Sequence, residues 1–163
     1  WVKKYKVNTN YFVPIGMKCN SLSDYEPYWG NLKIIKMKKG SFYYNYTLSN
    51  EKDDYFYIGT RDNALSINPS SYKCFYADMN CKLKNIINIR KATNLKTFLK
   101  KLGIKRYNYD SSYRYLEFVY GSTRYPEETT DTDIVWQITL NSKVQVTPDT
   151  IVSFEANDDW EQY

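Results

Sequence analysis

The chain has 163 residues, of which 42% are hydrophobic, 25% charged and 18% aromatic, with eighteen tyrosines and no histidine. This length is typical of one folded domain, and the composition excludes extensive disorder and collagen-like repeats. The missing histidine excludes Ser-His-Asp and Cys-His catalytic sites as well as His-ligated zinc or haem. We therefore expect a single domain over residues 1–163.

Short segments of alternating side chains, rich in aromatic and β-branched residues, predict strands along most of the chain. The last three are separated by Asn141-Ser142 and Pro148-Asp149, which are turn residues, so they predict a three-stranded meander. Roughly ten short strands at this spacing predict a mainly β protein, an antiparallel sandwich or barrel. The predicted strands are Val2–Val7, Leu32–Met37, Ser41–Thr47, Asp54–Gly59, Tyr72–Tyr76, Leu83–Ile89, Tyr113–Tyr120, Ile134–Leu140, Lys143–Thr147 and Ile151–Glu155.

One segment, about residues 94–102, has the spacing of an amphipathic helix. Asn94 is suited to cap its N-terminus and Gly103 to end it. Its apolar positions fall at i, i+3, i+4 and i+7, which places them on one face. They are Leu95, Phe98, Leu99 and Leu102.

The cysteines leave two interpretations open. Cys74 and Cys81 flank six residues, a spacing that suits a disulfide across a hairpin end, and closing so short a loop would contribute roughly 2–3 kcal/mol. Cys19 would then be unpaired within the chain. The alternative is that all three are reduced, buried thiols, which pack as small hydrophobic groups.

Two further features concern the protein's location. Asn45 begins an Asn-Tyr-Thr glycosylation sequon. Together with a disulfide, the sequon favours a secreted or surface-exposed protein, although an intracellular one stays open. No apolar run reaches the roughly 18 residues that a transmembrane helix needs.

The net charge of +5 is unevenly distributed along the chain. Residues 73–106 contain ten basic residues and only one acid, whereas residues 107–163 contain three basic and eleven acidic residues. A basic block of this kind favours binding to a polyanion or an acidic protein. Alternatively, it folds against the acidic segment or simply confers solubility. Besides Lys73, the predicted basic patch comprises Lys82, Lys84, Arg90, Lys91, Lys96, Lys100, Lys101, Lys105 and Arg106.

Two groups of aromatic residues are candidates for partner binding. Tyr25, Tyr28 and Trp29 surround Pro27 in a predicted loop, and exposed Tyr and Trp are common interface anchors. Tyr107, Tyr109 and Tyr113 alternate with charged residues after the predicted helix, in a pattern suited to stacking on bases or sugars. For both groups the alternative is that the rings belong to the core or cover a sheet edge.

Catalytic and metal-binding patterns are weak. Residues 127–133 contain four acids, but they lack the glycine and terminal glutamate of an EF-hand loop, so a solvated acidic loop is the simpler interpretation. No glycine-rich phosphate-binding pattern is present. The sequence therefore predicts no cofactor and no metal.

These observations predict a non-enzymatic binding module that recognises a protein or glycan through loop aromatics and the basic patch. The first alternative is a nucleic-acid-binding β-barrel, in which lysine and arginine contact phosphate and tyrosine stacks on bases. The second is a glycoside hydrolase, which requires a pair of carboxylates in a cleft.

Overall fold

The computed structural model describes residues 3–15, 21–40, 44–60, 74–130 and 133–156, and for Thr60, residues 74–78 and Ala156 it describes the backbone alone. The fold class predicted from the sequence is confirmed, because these residues form ten antiparallel strands and a single helix longer than one turn. The strands are β1 (Lys33–Lys39), β2 (Tyr44–Ser49), β3 (Tyr55–Thr60), β4 (Cys74–Lys82), β5 (Thr93–Asn94), β6 (Asn108–Asp110), β7 (Tyr115–Val119), β8 (Ile134–Thr139), β9 (Gln145–Val146) and β10 (Ile151–Ala156).

Eight strands form one open sheet in the order β1-β2-β3-β4-β10-β8-β7-β6. β5 and β9 form a separate two-stranded sheet. Since β1 and β6 are the two edges of the large sheet, the described strands do not close into a barrel. The predicted meander was partly wrong: β10 pairs directly with β8, and β9 leaves the large sheet to pair with β5.

One face of the large sheet carries the hydrophobic core. On the strands between the two edges, the large buried side chains occupy mostly alternate positions, as period-2 patterning requires, and they lie in register across neighbouring strands. Phe154 on β10, for example, is the partner of both Met79 on β4 and Trp136 on β8. The opposite face, which we call the open face, carries polar residues and tyrosines that are mostly exposed or half-buried.

Helices and the N-terminal segment cover the core face. α1 (Glu26–Trp29) is a single turn, and α2 (Leu95–Leu102) is the predicted amphipathic helix. Asn94 caps α2 by accepting a hydrogen bond from the Thr97 N–H, and Gly103 ends it in the left-handed conformation at φ 74°. 3₁₀ turns span Thr9–Phe12, Leu22–Asp24, Leu83–Asn85 and Pro126–Glu128.

The predicted Cys74–Cys81 disulfide was wrong. Both residues belong to the same strand, β4, instead of flanking a hairpin end. Seven residues of extended chain separate their Cα atoms by about 23 Å, whereas a disulfide requires less than about 7 Å. Cys81 is a free, buried thiol, and Cys19 lies outside the described residues.

A helix that crosses a bilayer contains about 20 predominantly apolar residues. None of the described helices is both long and apolar enough to do so.

Candidate functional site

The N-terminal segment lies between residues 86–89 and the C-terminal end of α2. Val7 forms an antiparallel bridge with Ile87, and the Asn8 N–H donates to the Ile86 carbonyl at 2.8 Å. On the other side, the Tyr5 N–H donates to the Lys101 carbonyl at 2.9 Å. These backbone bonds bring Lys3 and Lys4 close to a part of the chain that is more than eighty residues away in sequence.

A groove with a volume of about 370 Å³ forms at this junction, and we call it the basic groove. Five of its nine lining residues are lysine or arginine, and none is acidic. The ion pairs found among the described residues involve none of these five cations. The groove is lined by Lys3, Lys4, Tyr5, Asn88, Ile89, Arg90, Lys91, Thr93 and Lys101.

Two of the lysines are positioned by specific contacts. The Lys101 ammonium lies over the Tyr5 ring, 4.8 Å from the ring centroid, which is a cation–π distance. Lys4 Nζ donates to the Lys100 carbonyl at 2.8 Å, at the negative end of the α2 dipole. Burial raises the pKa of Tyr5, with the Thr93 side chain acting in the opposite direction, so the ring adds no negative charge at neutral pH. The local field is therefore strongly positive.

The chemistry available to this arrangement is anion binding. Five like charges around one concave surface repel each other, and an anion bound between them relieves that repulsion. Lysine ammonium groups and an arginine guanidinium supply several N–H donors, which suits phosphate, sulfate or carboxylate groups.

The structure brings only part of the predicted basic patch to the groove. Arg90, Lys91 and Lys101 line it. Lys84 instead pairs with Asp149 at 3.0 Å, and Lys82 lies 4.0 Å from the same carboxylate.

The remaining patch residues also lie outside the groove lining. Lys96, Lys100 and Lys105 are exposed. The Arg106 guanidinium lies over the Tyr125 ring, 5.5 Å from its centroid. Lys73 lies outside the described residues.

Lys3 and Lys4 were not among the residues predicted for the basic patch. They lie far from the basic block in sequence, and only a tertiary contact places them beside it. Both lysines belong to the predicted strand Val2–Val7. Because a strand must pair with a partner, this prediction already implied that they lie beside another part of the chain. Only the bridge at Val7 forms within the described part of that segment.

The expectation that Tyr25 and Trp29 are exposed was wrong, because both rings are buried, at 0% and 1% exposure. Tyr25 stacks on Trp29 with centroids 4.8 Å apart, and the Trp29 indole N–H donates to the Tyr11 carbonyl at 2.8 Å. Proline at the start of α1 favours a helical turn, which carries these rings into the core. Tyr28 is half-buried and packs against that core.

The second aromatic group is more accessible. Tyr113 is 74% exposed in the turn between β6 and β7, Tyr107 is 39% exposed, and Tyr109 is half-buried on β6. None of the three lines the basic groove. These tyrosines therefore do not lie with the basic residues of the groove, although the sequence pattern had predicted that they would.

A glycoside hydrolase needs a pair of carboxylates in a cleft. On the open face, Glu117 and Glu155 both line a pocket of about 190 Å³. Glu117 accepts hydrogen bonds from Gln137 Nε2 at 3.0 Å and from the Tyr115 hydroxyl at 3.4 Å. Burial and the neighbouring Glu117 raise the pKa of Tyr115 to about 12. This pocket is smaller than typical ligand pockets, which measure about 300–1,000 Å³.

The acidic loop is held by internal contacts. Asp133 pairs with Arg124 at 3.2 Å, and Asn108 donates to Glu127 at 2.8 Å. Among the described residues, no group of acids and cysteines is arranged to hold a metal ion. Asn45, the sequon residue, is half-buried near the start of β2, on the open face.

Comparison with known proteins adds no relative: no family model matches the chain, and neither the curated proteins nor the solved structures contain a significant match. The functional interpretation therefore depends on the geometry of the chain itself.

Proposed function

We propose that the protein is a non-enzymatic binding module that recognises an anionic, sulfated glycan through the basic groove. The observation that carries this proposal is the convergence of Lys3, Lys4, Arg90, Lys91 and Lys101 on one concave surface whose described lining contains no acid. The location that fits such a ligand is outside the cell or at its surface.

The shape of the groove favours a glycan over a protein partner. A stable protein–protein interface buries about 800 Å² on each partner and usually contains exposed aromatic anchors. The groove is small and concave, and among the described residues that line it the only ring, Tyr5, is 9% exposed. Small anionic groups on a flexible sugar chain can enter such a groove, whereas a protein surface would contact mainly the residues at the edge of the groove.

The described lining of the groove offers no exposed ring, which argues against nucleic acid as its ligand. Single-stranded nucleic acid gains much of its affinity from bases stacked on aromatic side chains. Tyr5 lies beneath Lys101 at 4.8 Å and offers no free face on that side. Sulfate groups need only the cations.

A titration with matched glycans tests the proposed class of ligand. A sulfated oligosaccharide and its unsulfated counterpart are titrated into the protein by calorimetry at low and at physiological salt. We expect binding of the sulfated form alone, with an affinity that falls as salt screens the charges. Equal binding of both forms, or no binding at low salt, contradicts the proposal.

A further inference from the structure

The bulge in β1 determines which residues of the edge strand reach the open face. Lys33 pairs with Ser49 and Ile34 with Leu48, but the next pair is Lys36 with Thr47, because Ile35 is the extra residue. Without this bulge, Ile35 and Met37 would share a face with Lys33, since the side-chain period of a strand is two. The bulge instead places Lys36 and Lys38 on the open face, the same face as Lys33.

β3 places two tyrosines on the same face. Tyr55 pairs with Ser49 and Tyr57 with Thr47, so the register continues directly from β1 through β2 to β3. The rings are 42% and 37% exposed, whereas Phe56 between them is fully buried in the core. Two large rings are therefore partly exposed on a surface that the covering helices do not reach.

The spacing of these groups is regular. Tyr55 and Tyr57 are two residues apart, about 6.7 Å along the strand, and β1 lies two strand spacings from β3, about 9.6 Å. The residues between them, Thr47 and Ser49, are short and rise little above the sheet. We call the surface formed by Lys33, Lys36, Lys38, Tyr55 and Tyr57 the tyrosine–lysine platform.

Charge on the open face changes sign across the sheet. The platform residues on β1 are all cationic and exposed. Glu155 on β10 and Glu117 on β7 lie on the other side of β3, beyond β4. A polyanion is therefore attracted to the β1 side and repelled from the β10 side, so its charged backbone would follow β1.

We propose that the tyrosine–lysine platform binds single-stranded nucleic acid, with the phosphates along β1 and two successive bases stacked on Tyr55 and Tyr57. Exposed rings on a sheet with cations at its side are the arrangement that stacks unpaired bases. This surface is separate from the basic groove and uses none of the tyrosines suggested by the sequence pattern at Tyr107–Tyr113. The proposal does not depend on glycan binding at the groove.

Fluorescence anisotropy with a labelled oligo(dT) or oligo(U) and the full chain tests the platform. We expect Tyr55→Ala and Tyr57→Ala each to lower the affinity by about 5- to 100-fold, and both phenylalanine variants to keep it, since a phenyl ring still stacks. Lys36→Gln and Lys38→Gln should reduce the salt dependence of binding, by up to about 0.7 in the log–log slope for each phosphate that is no longer neutralised.

Matched controls separate the platform from other surfaces. Tyr113→Ala removes an exposed ring elsewhere on the chain, and Lys101→Gln removes a cation of the basic groove; both should leave oligonucleotide binding unchanged. Circular dichroism confirms that each variant is folded. The proposal is overturned by no binding at low salt, by binding that Lys101→Gln abolishes, or by platform variants that reduce binding of a sulfated glycan only.

Discussion

Trp29 stacks on Phe56, with ring centroids 4.0 Å apart and ring planes inclined by 18°. This contact joins the single turn of α1 to the core face of the large sheet, because Phe56 lies on β3 and is fully buried. The residue that resembled a surface anchor in the sequence is thus a structural connection between the covering layer and the core.

Replacing Trp29 should therefore destabilise the fold. Trp29→Ala removes the stack and leaves a cavity, and we expect it to lower the free energy of unfolding by about 3–5 kcal/mol. Tyr113→Ala, at a ring that is 74% exposed, should change it by less than about 0.5 kcal/mol. Urea denaturation measures both values, and similar small changes in the two variants would show that the stack is not part of the core.

Substitution of the buried Asp54 should also destabilise the fold. Its carboxylate is 1% exposed and accepts hydrogen bonds from the Tyr11 hydroxyl at 2.6 Å and from Asn85 Nδ2 at 2.8 Å. Asp54→Asn replaces an acceptor by a donor facing other donors, which should cost about 1–3 kcal/mol of unfolding free energy. Asp53→Asn is the matched control, because Asp53 is exposed at φ 60° and asparagine tolerates that conformation. Equal effects in the two variants would contradict the network.

The state of Cys81 can be checked chemically. Burial raises the pKa of its thiol well above the ordinary value, with Asp54 as a further cause. We expect a thiol reagent to react with Cys81 only after unfolding, because the reactive thiolate is disfavoured and shielded in the folded protein. Peptide mapping without reduction should find no link between Cys74 and Cys81. A linked pair of peptides would contradict the assignment of both residues to β4.

Because of Tyr115, the free energy of unfolding should depend on pH in the alkaline range. Its pKa is raised to about 12 in the folded protein, mainly by burial and by the charge of Glu117, against an ordinary value of 10.0. The folded protein favours the neutral form of the Tyr115 side chain. Its contribution to the free energy of unfolding is therefore complete below pH 10 and is lost as the pH rises towards 12. The free energy of unfolding should therefore fall more steeply with pH in the native sequence than in Tyr115→Phe. Parallel curves would contradict the raised pKa.

The sequence was sufficient to predict the class of the fold and the helix α2. Period-2 patterning reveals strands, and Asn94 and Gly103 mark the ends of α2, because these signals are local. The long-range pairing was less accessible. Nothing in the alternation of Lys143–Thr147 shows that β9 pairs with β5 while β10 pairs with β8, since all three segments read as similar strands.

The candidate site likewise contains residues that the local sequence predicts and residues that only long-range contacts place there. Arg90, Lys91 and Lys101 were predicted from the charge of their segment, whereas Lys3 and Lys4 join them through backbone bonds that connect distant parts of the chain. The burial of Trp29 was hidden for a related reason. A short aromatic turn has the same sequence pattern whether its rings face solvent or a sheet. Whether the rings are buried depends on the packing of the turn against the sheet, which the local sequence does not show.

A charge-matched pair of variants tests the central claim, that the basic groove is the anion-binding site. Lys101→Gln and Lys84→Gln each remove one positive charge, but only Lys101 lines the groove, whereas Lys84 pairs with Asp149. Calorimetric titration with a sulfated oligosaccharide should show affinity reduced about five-fold in Lys101→Gln, the equivalent of about 1 kcal/mol, and unchanged in Lys84→Gln. Equal loss in both variants would mean that net charge alone attracts the ligand, and it would contradict a specific site at the groove.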